Sequence, residues 1–281
     1  MIDEELIRTS PFAARATDRI VFDKAEKNGR IKGKISSAFL KEPQLLVIEA
    51  LRRYTFLNAH MLAQILERDI GYPKESMKQL LSRMTKARYV TRFRIAYTDA
   101  LNVEHRSSYI YTLADNLFNN GKVELQSSTA QSYLAFNQFH IAVTQKYRNV
   151  MYGFYCKGSD TIDGAVSFTS EGKRVTINVL TMRKGMTGQS ITDKFTEAMT
   201  EDSRNATLLV LCESELHALE IDRYYKQQEG MGDKRVFYMC DSATAGESMP
   251  FENVVRVKAE QEYEIVTIPV DDVVNMAGEE E

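Results

Sequence analysis

The chain has 281 residues and a formal net charge of −3, and this length is sufficient for two domains, each with its own core. Its 43% hydrophobic and 27% charged residues exclude a disordered chain, and no apolar run approaches the roughly 20 residues that cross a bilayer. The start MIDEELIRTS lacks signal-peptide layout, and Cys156, Cys212 and Cys240 lack metal spacing, which predicts a cytoplasmic protein with reduced thiols and no structural zinc.

Residues 1–40 are interpreted as a basic N-terminal arm. Basic residues alternate with apolar ones after the turn signal Asn28-Gly29, and Arg19–Phe22 is predicted to pair with that run as a hairpin. Such an arm either follows a DNA backbone or minor groove, as in other DNA-binding proteins, or is a solvated leader. The sequence leaves both alternatives open.

Residues 41–121 have the pattern of a winged helix-turn-helix. Apolar residues at helical spacing predict helices over Gln44–Tyr54 and Ala59–Ile70, the second capped by Asn58. A third helix is predicted over Lys74–Arg88, because Pro73 suits a helix start. The spacing of its apolar residues places the polar ones together on the outer face.

The period then changes to that of a β-hairpin. Tyr89–Tyr97 alternates, with Arg92 and Arg94 on one face, and a polar connection leads to a second alternating run, Ser107–Leu113. Three helices followed by this hairpin, the wing, make up a compact module that inserts its third helix into a major groove. A short helix over Thr112–Gly121 is expected to close the domain.

The two parts of the chain differ in charge. Residues 1–112 contain 20 Lys+Arg and 13 Asp+Glu, a net of +7, whereas the remaining 169 contain 16 and 26, a net of −10. This asymmetry favours a polyanionic partner for the first part. The candidate DNA-binding residues lie on the third helix and the wing: Lys74, Lys78, Gln79, Ser82, Arg83, Lys86, Arg92, Arg94, His105 and Arg106. The alternative is a winged helix used for protein contacts.

The second domain is predicted over residues 129–258, after a linker. A long helix from Thr129 to about Arg148 is followed by three strands, a helix and a further strand, an αβββαβ order. The continuous apolar run Thr207–Cys212 is typical of a strand buried on both faces. Residues 259–281 are assigned to an edge strand and an acidic tail. The fold class is therefore α+β.

This element order resembles the replication-relaxation family of plasmid and mobile-element proteins. The stretch from Leu45-Leu46-Val47 to Tyr109-Ile110-Tyr111-Thr112-Leu113 is similar to the winged domain of that family. The resemblance implies that the second domain has a PD-(D/E)xK nuclease-like fold. It is chiefly one of element order over residues 43–258.

The active form of that fold needs an Asp at the start of its second strand and an acid and a Lys two residues apart in the third. Here Asp163 takes the first position, but Asn178 and Leu180 take the other two. An amide is a poor ligand for a hard cation, and leucine is no base. Lys184, or a migrated carboxylate from Glu197 or Glu201, is the remaining alternative. We expect a degenerate site in which Asp163 is a turn or capping residue, without metal or cofactor.

The resulting expectation is a double-stranded DNA-binding accessory protein of a mobile element that marks an origin of replication or transfer. Its acidic second part is expected to contact a second copy of the chain or a replication or DNA-processing enzyme. Two alternatives remain at this point: a transcriptional regulator that dimerises through its second domain, and a metal-dependent DNA nuclease.

Overall fold

A computed structural model describes residues 10–15, 17–22, 40–113, 126–154, 163–170, 172–198, 207–227, 236–245, 251, 254–257 and 262–267. Within these residues the chain is a mixed α+β protein with seven α-helices and two β-sheets. It divides into two compact units: the first lies within Arg15–Asn137, and the second combines residues up to Ala14 with those from Gln138 onward. No helix of the described part is long and apolar enough to cross a membrane.

This division differs from the boundaries that the sequence pattern predicts. The predicted arm is divided between the two units: residues 10–14 belong to the second unit, whereas strand β1 (Arg19–Phe22) belongs to the first. The predicted start of the second domain, residue 129, lies inside helix α4 (Ser127–Lys146), whose residues up to Asn137 belong to the first unit. A periodic pattern shows that a residue is buried, but it does not show in which core.

The first unit contains three short helices in succession. Helix α1 (Glu42–Tyr54) begins before its predicted start because Pro43 is tolerated in the first turn, where no helical N–H is needed. Helix α2 (Ala59–Ile70) has the predicted bounds, and its cap Asn58 accepts the N–H of Met61 through Oδ1 at 2.9 Å. The predicted third helix consists of a 3-10 turn (Lys74–Ser76) and helix α3 (Met77–Lys86).

The sheet of the first unit has the order β1-β3-β5-β2, with β4 also paired to β3. The other strands are β2 (Leu57–Asn58), β3 (Thr91–Thr98), β4 (Glu104–Arg106) and β5 (Ile110–Thr112). Strand β1 pairs antiparallel with β3, and the hairpin partner that the sequence suggested for it lies outside the described residues.

The predicted second strand, Ser107–Leu113, is formed only over β5, and β4 lies in the stretch that the sequence pattern assigned to a polar connection. Ala96 is opposite Arg106, but Phe93 is opposite Ile110, so the β4–β5 side has one extra residue. Ser107 holds this bulge, because its backbone N–H donates to the Ile95 carbonyl at 2.8 Å and its Oγ accepts the Ile95 N–H at 3.0 Å. The predicted helix after the hairpin lies outside the described residues except at Thr112, which ends β5, and Leu113.

The second unit contains a seven-stranded sheet in the order β12-β11-β10-β9-β8-β7-β6. Its strands are β6 (Arg148–Phe154), β7 (Asp163–Ser170), β8 (Lys173–Thr181), β9 (Thr207–Cys212), β10 (Val236–Cys240), β11 (Val254–Val257) and β12 (Tyr263–Val266). Helices α5 (Gly188–Ala198), α6 (Glu215–Lys226) and α7 (Asp241–Ala245) complete the described elements. A core of Phe195, Val210, Ile221 and Tyr238 packs helices against the sheet.

Strands β8, β9 and β10 run parallel to one another, and β7 runs antiparallel to β8. The carboxyl ends of the three parallel strands therefore lie at the same edge of the sheet as the start of β7. We call this edge, with the residues that follow the strands, the carboxyl edge. In open sheets with parallel strands, such an edge is the usual position of functional groups.

Candidate functional site

On the outer face of α3, several cationic side chains are exposed and have no partner among the described residues. This face is turned to solvent, because the apolar residues of α3 are buried: Met77, Leu80, Leu81 and Met84. Lys78, Gln79, Arg83 and Lys86 are exposed, and Ser82 is half-buried. Within the described residues, none of these five side chains has a hydrogen bond or ion pair. The structure therefore brings these predicted DNA-binding residues together on one face.

The remaining predicted cation of this region, Lys74, has a partner within the unit. Its Nζ lies 2.8 Å from Oε2 of Glu67 on α2. Both side chains are about half exposed, so the pair is screened by solvent. Lys74 thus presents less free charge than the residues on α3.

On β3, the two predicted arginines stack on one aromatic ring. The guanidinium carbons of Arg92 and Arg94 lie 4.0 Å and 3.8 Å from the ring centroid of Tyr109. Such cation–π contacts hold the arginine side chains against the sheet but do not neutralise their positive charges. The two arginines therefore form a fixed positive surface.

The charges at the outer end of the hairpin are paired with acidic side chains. His105 Nε2 lies 2.7 Å from Oδ2 of Asp99, and Arg106 Nη2 donates to Glu104 Oε1 at 2.8 Å. Arg19 of β1, which the sequence pattern did not select, also donates to Glu104. The sequence pattern indicates these cations but not the carboxylates that pair with them.

The sequence of the first unit has a positive net charge. Residues 15–137 contain 20 Lys+Arg and 12 Asp+Glu, a net of +8, which leaves 16 and 27, a net of −11, for the rest of the chain. The charge asymmetry between the units is thus slightly larger than that between the predicted halves. Several cations of the hairpin are paired with acids, whereas Lys78, Arg83 and Lys86 on α3 have no ion pair among the described residues.

At the carboxyl edge of the second unit, Asp163 is held by two donors. Lys194 on α5 donates from Nζ to Oδ2, and the backbone N–H of Thr181 donates to Oδ1 at 3.0 Å. The Lys194 side chain is only 4% exposed. Lys194 has the helical spacing of the apolar residues Ile191, Phe195 and Ala198, so the sequence could have predicted that it is buried. The sequence does not indicate that Asp163 is its partner.

The other positions that the nuclease-like pattern requires do not supply a metal site. In the strand register Leu180 lies opposite Asp163, and Asn178 lies opposite Ala165. Lys184 and Glu197 are exposed, and Glu201 lies outside the described residues. Among the described residues, no group of three or more His, Cys, Asp or Glu side chains could hold a metal ion.

A second buried polar cluster follows the parallel strands and was not predicted. Arg183 comes after β8, Glu213 after β9 and Asp241 after β10. The Arg183 guanidinium binds both carboxylate oxygens of Asp241, at 2.5 Å and 3.1 Å, and both side chains are 1% exposed. Ser10, from the start of the chain, also donates to Asp241. A buried pair with this geometry fixes the strand ends to one another.

Glu213 and His217 complete this cluster. Oε1 of Glu213 accepts the N–H groups of Ala14 at 2.9 Å and Lys184 at 2.8 Å, and burial raises the pKa of this carboxyl despite these bonds. Burial, with the positive charge of Arg183, lowers the pKa of His217 to about 3. Its neutral Nδ1 accepts the N–H of Glu213 at 3.3 Å. The polar groups of Glu213 and His217 are thus engaged in hydrogen bonds within the second unit.

No protein-family model, curated protein or solved structure matches this chain.

Proposed function

We propose that the first unit is a winged helix-turn-helix domain that binds double-stranded DNA through the outer face of α3. The element order supports this proposal: three helices are followed by a hairpin, and β2, between the first two helices, pairs with β5. The observation that carries the proposal is the set of exposed and unpaired polar side chains on α3.

In the proposed complex, α3 lies in the major groove. Arg83 and Gln79 have side chains suited to bidentate hydrogen bonds with guanine and adenine edges, whereas Lys78 and Lys86 suit phosphates. Arg92 and Arg94, fixed on Tyr109, add positive charge on β3. Affinity then comes mainly from the cations, and sequence preference from Arg83 and Gln79.

The second unit is proposed to be a nuclease-like domain without catalytic activity that serves assembly. The order of helix, three strands, helix and strand, from α4, which both units share, to β9, supports this proposal, as does the pairing of Asp163 with Lys194. The negative net charge outside the first unit disfavours DNA and favours a protein partner. We propose an accessory factor that marks an origin of replication or transfer on a mobile element.

A metal-dependent nuclease is the second candidate, and one observation favours it. Asp163 and Lys194 lie side by side at the carboxyl edge, and an Asp and a Lys are two of the three groups that such catalysis uses. A metal ion would have to displace the Lys194 ammonium group from Asp163 and find a second carboxylate. Nicking of supercoiled plasmid DNA by the intact chain decides between the two candidates.

The experiment that tests DNA binding uses the intact chain, because α4 contributes residues to both units. Fluorescence anisotropy of a labelled duplex is measured over a range of salt concentrations for the wild type and for Arg83→Ala/Lys86→Ala. The matched control is Lys173→Ala/Arg174→Ala, which removes the same charges from an exposed end of β8 in the second unit.

The wild type is expected to lose affinity steeply as salt rises. If Arg83 and Lys86 both contact phosphates, the slope of log affinity against log salt falls by about two in the α3 variant and stays unchanged in the control. If Arg83 contacts a base instead, the slope in the α3 variant falls by about one, and the variant loses its sequence preference. Equal losses in the two variants, or no binding by the wild type, would refute the proposal.

A further inference from the structure

A short peptide from the start of the chain is docked at the carboxyl edge of the second unit. We call this peptide, residues 10–14, the strap. In sequence, residues 15–137 separate the strap from the rest of its unit. None of its residues lies in a helix or a strand, so the sheet does not hold it through backbone pairing. The strap therefore binds its unit in the way that a separate peptide would.

The conformation of the strap comes from its own residues. The Ala13 N–H donates to the Ser10 carbonyl at 3.3 Å, which closes a turn with the exposed Pro11 at its second position. Serine and proline are favoured at the first two positions of such a turn. The Ser10 Oγ also accepts the Phe12 N–H at 3.0 Å. A detached peptide of this sequence can make the same contacts, which reduces the ordering cost when it binds.

The strap engages the second unit at every second residue. The Ser10 hydroxyl donates to Asp241, the Phe12 side chain is buried, and the Ala14 N–H donates to Glu213 Oε1 at 2.9 Å. The residues between these positions are not buried. Contacts from alternate residues, made by backbone groups and by side chains in pockets, are a common mode of recognition of extended peptides.

The groups that receive the strap are buried carboxylates with further partners in the second unit. Asp241, after β10, is bound by both terminal nitrogens of Arg183. Glu213, after β9, also accepts the Lys184 N–H at 2.8 Å. These contacts keep both carboxylates in place when the strap leaves, and an ionised carboxylate only accepts hydrogen bonds. The site therefore fits a peptide that offers a hydroxyl, an aromatic ring and a backbone N–H at alternate positions.

We propose that the carboxyl edge is a peptide-recognition site, that the strap occupies it as an internal ligand, and that a partner protein binds there through a segment with the pattern Ser-x-Phe after displacing the strap. The proposal deepens the assembly role proposed for the second unit and rests on it. A ligand within the same chain has an effective concentration on the order of millimolar. The strap therefore excludes weak ligands, and the site takes only a segment that overcomes this advantage.

The test uses intact chains and a fluorescently labelled peptide with the sequence of residues 10–15, SPFAAR. Fluorescence anisotropy of the peptide is measured without DNA. Phe12→Asp and Ser10→Ala are the variants with a weakened strap. Phe12→Leu, which keeps an apolar side chain in the buried position, is the matched control. Two altered peptides, one with alanine for the serine and one with aspartate for the phenylalanine, test which groups the site recognises.

The Phe12→Asp chain is expected to bind the peptide at least about tenfold more tightly than the wild type or Phe12→Leu, because its site is open in a larger fraction of molecules. Ser10→Ala is expected to lie between them. Both altered peptides are expected to bind the Phe12→Asp chain more weakly than SPFAAR. Circular dichroism checks that this chain is folded, and if it is not, the comparison of Ser10→Ala with the wild type decides in the same way.

Two outcomes would overturn the proposal. One is that no chain binds the peptide at millimolar concentration. The other is that the wild type and the strap variants bind it equally, which would place the peptide outside the site of the strap. Because the assay contains no DNA, either failure is distinct from a failure of DNA binding by α3, which the salt titration of the α3 variant measures.

Discussion

The ammonium group of Lys194 donates to the carboxylate of Asp163, although the two residues are 31 positions apart and lie on a helix and a strand. The pair occupies the position at which the nuclease-like pattern would place a metal ligand. Lys194 is thus the nearest cation to Asp163, and the Thr181 N–H supplies a second donor. Two predictions concern this pair.

Replacing Lys194 by methionine is expected to destabilise the second unit. The substitution retains most of the apolar stem but leaves the Asp163 carboxylate, only 14% exposed, without its charged partner. Removing one member of such a pair costs about 3 kcal/mol, which urea unfolding can measure. Lys173→Met, at an exposed position of β8, is the control. Equal stability of the two variants would show that the pair is not structural.

The intact protein is expected not to nick supercoiled plasmid DNA in the presence of Mg²⁺ or Mn²⁺. Asp163 is engaged by Lys194, and the position of the expected acid is occupied by Asn178, a poor ligand for a hard cation. The readout is conversion of supercoiled plasmid to open circles. Metal-dependent nicking that disappears in Asp163→Ala would identify the second unit as a nuclease and contradict this prediction.

Arg83→Ala is expected to weaken binding to a selected DNA site by about 1–3 kcal/mol and to relax its sequence preference at one position. The reason is the loss of a bidentate contact that a phosphate-binding lysine does not make. Competition binding against single-base variants of the site measures both effects. Arg174→Ala, which removes one charge from the second unit, should change neither, and a uniform loss over all DNA sequences would instead make Arg83 a phosphate contact.

Acidification is expected to destabilise the second unit through His217. Burial lowers its pKa to about 3 in the folded chain, whereas the unfolded side chain titrates near 6.5. The unfolded chain therefore binds more protons between these values, and stability falls as the pH drops below about 6.5. Between pH 7 and pH 5 the contribution is roughly 2 kcal/mol.

The comparison that isolates this contribution is His217→Gln. The glutamine oxygen can accept the Glu213 N–H, as His217 Nδ1 does, but it does not titrate. Urea unfolding at several pH values should show a weaker loss of stability for the variant over this range. Parallel curves for the two proteins would mean that other groups cause the acid dependence.

Elements with local signals were predictable from the sequence. Asn58 marks the start of α2, and the apolar run Thr207–Cys212 coincides with β9. These signals depend on neighbouring residues only. The αβββαβ order followed from them, because each element was recognised separately.

The partners of charged groups were not predictable, because they are set by tertiary structure. Nothing near Lys194 in sequence points to Asp163, and nothing near β1 points to β3, about 70 residues later. The wing illustrates the consequence, since its sequence pattern predicts that His105 and Arg106 contact DNA, whereas Asp99 and Glu104 bind them in the structure. The charge pattern of a sequence predicts the sign of the charge on a surface. The carboxylates near each cation determine whether that cation can bind a partner.

The hydrogen bond from Ser10 to Asp241 joins groups 231 residues apart, with the whole first unit between them. During synthesis at about 5–20 residues per second, Ser10 therefore emerges on the order of 10 to 50 s before its acceptor exists. The first unit can fold within that interval. The second unit cannot complete its fold until Asp241 has been synthesised. We therefore expect the first unit to fold before the second during synthesis.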